Sequence, residues 1–228
     1  METLLLTKKV DISTEKKQDK VNFFNLCVFI FVLGCIIGYV VEVIYAYYKH
    51  GRFINKQGMI YGPFNQIYGF GAMIFTLSLY KFRKSNKLII LIAGTIVGGL
   101  FEYVCSYLQE IIFKSESWNY SKFPLSFNGR TNPIHALFWG ILGVLFMTFI
   151  LPPMIHMINK IPIHIATIIS WLLFVFMIIN MTISAAAVCR QAERKKGEKP
   201  SNSIECFLDK HYDDDFLKKV YPNMKFIK

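Results

Sequence analysis

The sequence predicts an all-α fold, a polytopic helical membrane protein with about five transmembrane helices. Three observations carry this. Hydrophobic residues make up 54% of the 228 residues, and the mean hydropathy of +0.37 is high for a soluble domain of this size. Five apolar stretches approach or exceed the roughly 20 residues needed to cross a bilayer. Acidic residues are nearly excluded from the same region: between Lys20 and Gln191 stand only Glu42, Glu102, Glu110 and Glu116. The runs lack period-two alternation, so they read as helices that satisfy their own backbone rather than as barrel strands.

Residues 1–22 form a polar N-terminal segment of mixed charge, with Lys8, Lys9, Lys16, Lys17 and Lys20 set against Glu2, Asp11, Glu15 and Asp19. The transmembrane domain covers residues 23–189, with spans at 23–48, 64–80, 88–113, 134–151 and 163–189. The first is too long for a signal-peptide core and lacks a cleavage site, so it reads as a retained helix. The second and fourth lie at the short end for a crossing. Residues 190–228 form a basic tail holding ten of the 26 Lys and Arg residues. Within it Ile204, Phe207, Leu208, Phe216, Leu217 and Val220 suggest an amphipathic stretch, interrupted at Asp213–Asp215. The cluster Arg190, Arg194, Lys195, Lys196 and Lys199 reads as a cytoplasmic flank beside anionic lipid. Lysines before the first span and after the second argue the opposite orientation; the density of the tail cluster favours a cytoplasmic C-terminus.

Two stretches repeat one pattern: Gly34-xxx-Gly38-xxx-Glu42 and Gly94-xxx-Gly98-xxx-Glu102. On a helix this spacing sets two glycines and a carboxylate along one stripe. Glycine stripes let helices approach closely, and a carboxylate in a span costs about 2.5–3.5 kcal/mol at the helix centre. Packing, binding or translocation are the uses that offset such a cost. Each motif precedes a polar loop and a second helix that opens with small residues beside aromatics, Tyr68-Gly-Phe-Gly71 and Trp139-Gly-Ile-Leu-Gly143. A parallel two-helix internal repeat accounts for this, as does coincidence among Gly-rich helices.

Several function classes find no support. The five cysteines have no C-x-x-C pairing, the five histidines have no ligand spacing to carboxylates, and there is no P-loop. No cofactor or metal site is expected, and any ATP-driven function needs a separate ATPase chain. No motif accompanies the basic tail that would mark nucleic-acid binding. The loop between the first two spans carries Gly58-Met-Ile-Tyr-Gly-Pro-Phe64; the loop before the fourth carries Trp118-Asn-Tyr-Ser121 and Phe127-Asn-Gly-Arg130. Asn-Gly is a turn signal, and Arg130 is placed to pair with a glutamate on its side of the membrane.

In these segments, together with Gly38-Tyr-Val-Val-Glu42, Ile67-Tyr-Gly-Phe-Gly71, Glu102-Tyr103 and Trp139-Gly140, the chain resembles the bacterial CmpB-type membrane proteins, described as ABC-transporter type IV permeases. The resemblance runs from about residue 34 to 160. Two positions depart from it: Gln57 stands where the family commonly has Arg, and Asn119 where it has Asp. The resemblance implies a multi-pass protein of the bacterial cell membrane, a transport component working with a separate ABC ATPase. Five spans are few for a solitary transporter, so a homo-oligomer is expected. The candidate substrate-binding or helix-packing residues are Glu42, Glu102, Arg130, Asn65, Tyr68 and Asn128, with Gly34, Gly38, Gly94 and Gly98 as packing glycines. The alternatives are a membrane-embedded enzyme acting on lipid or envelope precursors, for which no catalytic set is visible, and a non-transporting sensor or scaffold.

Overall fold

A computed structural model describes residues 22–227; the polar N-terminal segment, apart from Asn22, lies outside them. The described chain is mostly helical. Helix α1 (Phe23–His50) returns through a loop into α2 (Gln66–Leu79), which a 3-10 turn extends to Phe82. Helix α3 (Lys87–Phe113) returns through a second loop into α4 (Pro133–Leu145). A π-helical segment (Phe146–Ile150) joins α4 to α5 (Leu151–Asn159). The long α6 (Ile163–Lys195) is followed by the short α7 (Ser203–His211) and α8 (Asp214–Val220). Strands β1 (Ser115–Glu116) and β2 (Lys225–Phe226) pair antiparallel.

Asparagines set where the helices begin. Asn22, Asn65, Asn86, Asn132 and Asn202 each accept a backbone N–H of the first turn of α1, α2, α3, α4 and α7 through the side-chain oxygen, which satisfies a donor the helix cannot. Gly51, in the left-handed region at φ 66°, ends α1.

Four helical segments are long and apolar enough to cross a membrane: α1, α3, the continuous α4–π–α5 rod (Pro133–Asn159) and α6. The rod passes well beyond the boundary expected at Leu151. Pro152 and Pro153 lack N–H groups and crowd the preceding turn; the π segment immediately before them takes up the mismatch and lets the helix continue. The second apolar stretch gives only the 14-residue α2 and its 3-10 turn.

Helices α1 and α2 form one hairpin, α3 and α4 a second, and α6 runs parallel to α1. Near their starts Phe24 stacks on Trp171 at 4.7 Å and Asn25 donates to Thr167 at 2.9 Å. The central core joins both hairpins through Ile30, Phe75, Leu79, Ile90, Phe146 and Leu151. The buried seam of α6 is small and polar, with Ala166, Ser170, Asn180, Ser184 and Ala187, as expected where helices pack in lipid. Its outer face is apolar and open, with Leu172 67% exposed among Ile165, Ile168, Val175 and Ile179. The C-terminal ends of α1, α3 and α6, both return loops and residues 196–227 all gather at one end of the bundle.

Candidate functional site: two carboxylates beneath the return loops

The two glycine–glutamate stripes build the same packing twice. Gly34 lies against Tyr68, Gly69 and Ala72, and a methyl group on it would meet Ala72 Cβ at 2.9 Å. Gly94 lies against Gly140 and Gly143, with Gly140 Cα 3.3 Å from such a methyl. One turn on, Gly38 has no room for a Cβ because Tyr68 covers it, and Gly98 has none because Trp139 does. Tyr68, Gly69 and Ala72 of α2 thus play the parts of Trp139, Gly140 and Gly143 of α4. The expected internal repeat is a repeat of contacts as well as of letters.

Each stripe ends on its glutamate at the mouth of the returning helix. Tyr68 Oη donates to Glu42 Oε1 at 2.7 Å, and Lys56 Nζ lies 3.4 Å from Glu42 Oε2. In the second unit Tyr120 Oη donates to Glu102 Oε1 at 3.0 Å and Thr131 Oγ1 to Glu102 Oε2 at 2.7 Å. Glu42 is partly open, its side chain 28% exposed; Glu102 is buried. The two sites form one layer: Tyr68 and Tyr120 each lie within electrostatic reach of both carboxylates, and the Tyr68 ring sits 6.1 Å from Trp139. Burial and the Glu102 carboxylate push the Tyr120 phenol well above its usual range. It therefore stays a hydrogen-bond donor. The His135 ring stacks on Tyr120 at 3.9 Å and is held by Asn132.

The remaining sequence candidates fall elsewhere. Arg130 does pair with a glutamate on its side of the membrane, but with Glu110 and not with Glu42 or Glu102. Its Nη2 lies 2.5 Å from Glu110 Oε2, and its guanidinium faces Tyr103 and Tyr107. The reason is reach: the loop folds back along the last turns of α3, which brings Glu110 alongside. Asn65 caps α2 and donates to Lys56 O at 3.2 Å. Asn128 occupies a left-handed turn position at φ 51° and donates to the Tyr103 hydroxyl. Sequence reading missed Lys56, Tyr120 and Thr131. Tyr120 lay within the quoted Trp-Asn-Tyr-Ser segment, but nothing local to it said which carboxylate it would meet.

Gln57 and Asn119, the two departures from the resemblance, both fasten loops. Gln57 Nε2 donates to Gly62 O at 2.6 Å. Asn119 Nδ2 donates to Glu116 at 2.9 Å while its Oδ1 accepts Ser121 N–H. Among the described residues no group of three or more His, Cys, Asp or Glu side chains could hold a metal ion.

The C-terminal tail folds as a cap. Arg190 and Arg194 are engaged internally by Glu193, Asp209 and Asp214, not left free for lipid. Their position in the last two turns of α6 points them at α7 and α8. Leu208, Leu217 and Val220 are buried, Leu208 and Leu217 in a cluster with Ala187 and Ile60, whereas Ile204 and Phe207 stay exposed.

Fold and site together define a multi-pass α-helical membrane protein with a duplicated carboxylate layer beneath its loops. Residues 29–185 match the family model ABC_trans_CmpB, described as "Putative ABC-transporter type IV", and the chain belongs to that family. No curated protein and no solved structure matches the chain.

Proposed function

We propose that this chain is the membrane-embedded component of a transport system whose ATPase is a separate polypeptide, with Glu42 and Glu102 lining the route at one membrane boundary. Membership of a transporter-type family supports the reading. The observation that carries it is the pair of carboxylates held by phenol donors at matching places in two hairpins. A purely packing role needs the glycines and aromatics but no ionisable group beneath the loops.

The segment lengths support five crossings. Helix α2 and its 3-10 turn rise about 27 Å together, close to the roughly 30 Å of hydrocarbon. The crossing then begins near Gln66 and ends near Phe82. Glu42 and Glu102 lie at the level where α2 and α4 begin, at the headgroup boundary, and the last turns of α1 and α3 stand in the interface with the loops and cap. Lys195, Lys196 and Lys199 on the cap side favour a cytoplasmic C-terminus in the bacterial cell membrane. A homo-oligomer would supply the second wall of a path that five helices only half enclose.

Native co-purification in mild detergent with mass spectrometry tests the reading. An ABC-type ATPase at stoichiometric yield, with ATP turnover altered by Glu102→Gln, is expected. A preparation with bound lipid and no ATPase would overturn it in favour of a lipid-handling enzyme or scaffold.

A further inference from the structure

Residues 203–227 fasten three separate parts of the molecule. To α6, Arg190 makes a two-pronged contact with Asp209, Nε and Nη2 donating at 3.0 Å each, while Arg194 donates to Asp214 through Nε and Nη2 at 2.9 and 2.8 Å. To the first return loop, the Tyr61 and Tyr212 hydroxyls meet at 2.5 Å and Asn55 Nδ2 donates to Lys219 O at 3.3 Å. To the second return loop, β2 pairs with β1 and Ile227 N–H donates to Lys114 O at 2.9 Å. The first loop is gripped from the other side by α6: Ile60 N–H donates to Ser184 Oγ, and Asn180 exchanges two hydrogen bonds with the Tyr61 backbone. That same loop carries Lys56 to Glu42.

We propose that the C-terminal cap is a latch: swinging about residues 196–202, it frees the cap side of both return loops and, with the first then held by α6 alone, loosens Lys56 from Glu42. The hinge is built for this. Residues 196–200 are exposed, Gly197 is in the left-handed region at φ 83°, and α7 restarts only at Ser203. The latch packs on loops and on one end of α6, not on the membrane core, so its opening leaves the central cluster of α1–α5 intact. The seat is also imperfect. Gln191 Oε1, buried one turn beyond Ala187 of the cap cluster on α6, has no hydrogen-bond partner.

Hydrogen exchange on the full chain in lipid nanodiscs tests it, with lysine acylation read by mass spectrometry on the same sample. Amides of 55–62 and 203–221 are expected to exchange as one unit, well ahead of α1 and α4. In Asp209→Asn both segments should exchange about tenfold faster, and Lys56 should acylate faster, at unchanged melting temperature. If 55–62 keeps its protection while 203–221 opens, or if the cap exchanges only with global unfolding, the latch is overturned. Should Asp209→Asn fail to accumulate, the wild-type rates decide alone: a common rate supports the latch, and separate rates reject it.

Discussion

Gly38 and Gly98 are the two residues at which the smallest change should do most harm. A Cβ at either would fall inside the Tyr68 or Trp139 side chain, at positions backed by the opposite helix. Gly38→Ala and Gly98→Ala should each cost roughly 1–3 kcal/mol or more in stability, measured as a lowered detergent-solubilised melting temperature. The carboxylates separate in a different way. Glu102→Leu would strand the buried hydroxyl of Thr131, at about 1–3 kcal/mol, and the half-buried hydroxyl of Tyr120; Glu102→Gln keeps one acceptor and should cost less. Glu42→Gln should be milder still, because Glu42 is partly hydrated and its Lys56 partner can turn to water. Melting curves of the three variants give the expected order, with Glu102→Leu lowest.

Among elements, the cap has the sharpest dependence on conditions. The Arg190 hydrogen bonds hold the Asp209 carboxyl below its usual range, and the Ser201 N–H does the same for Glu205. For Asp214, burial works upward, and the hydrogen bonds and charges of Arg194 and Lys195 together outweigh it. A carboxyl lowered by folding contributes stability that is full above its unfolded value of about 4 and lost as pH falls through the folded value. Tyr212 is pushed the other way, to about 12, by burial and by the Tyr61 hydroxyl. Its contribution is full below the unfolded value near 10 and lost as pH rises towards 12. Protease cleavage within residues 196–202 should therefore be slow between about pH 5 and 9 and accelerate on both sides.

At the scale of the whole molecule, the parallel run of α1 and α6 sets the two ends of the bundle apart. Residues 83–86 and 160–162 lie at one end; both return loops and the cap lie at the other. Single cysteines at Ser85 and at Ser201, in a background cleared of the five native cysteines, should label from opposite sides of sealed vesicles. A cysteine at Ser117 should label from the same side as Ser201. Labelling of Ser85 and Ser201 from one side would overturn the proposed five crossings.

Much of the fold was legible because lipid imposes simple rules. Long apolar runs had to be helices, and four of the five stretches are helices long enough to cross. The glycine stripes announced close approach, and the structure places another helix against each of them. The fourth span, expected to end at 151, runs on to Asn159, since a π segment absorbs what Pro152 and Pro153 would otherwise break. What lies opposite a residue was not legible. The spacing of Gly38 and Glu42 is local to one helix, but Tyr68 and Lys56 reach them only after the chain has reversed. The charge of Arg190 and Arg194 was plain in the sequence, yet whether it met lipid or Asp209 and Asp214 depended on how a short tail folded back. The sequence by itself thus determined the solvent of each segment and the face along which each helix packs, because hydrophobicity and helical period are properties of consecutive residues. Only the tertiary structure decided that two carboxylates share one layer and that the tail locks the loops above them, because those contacts join residues far apart in the chain.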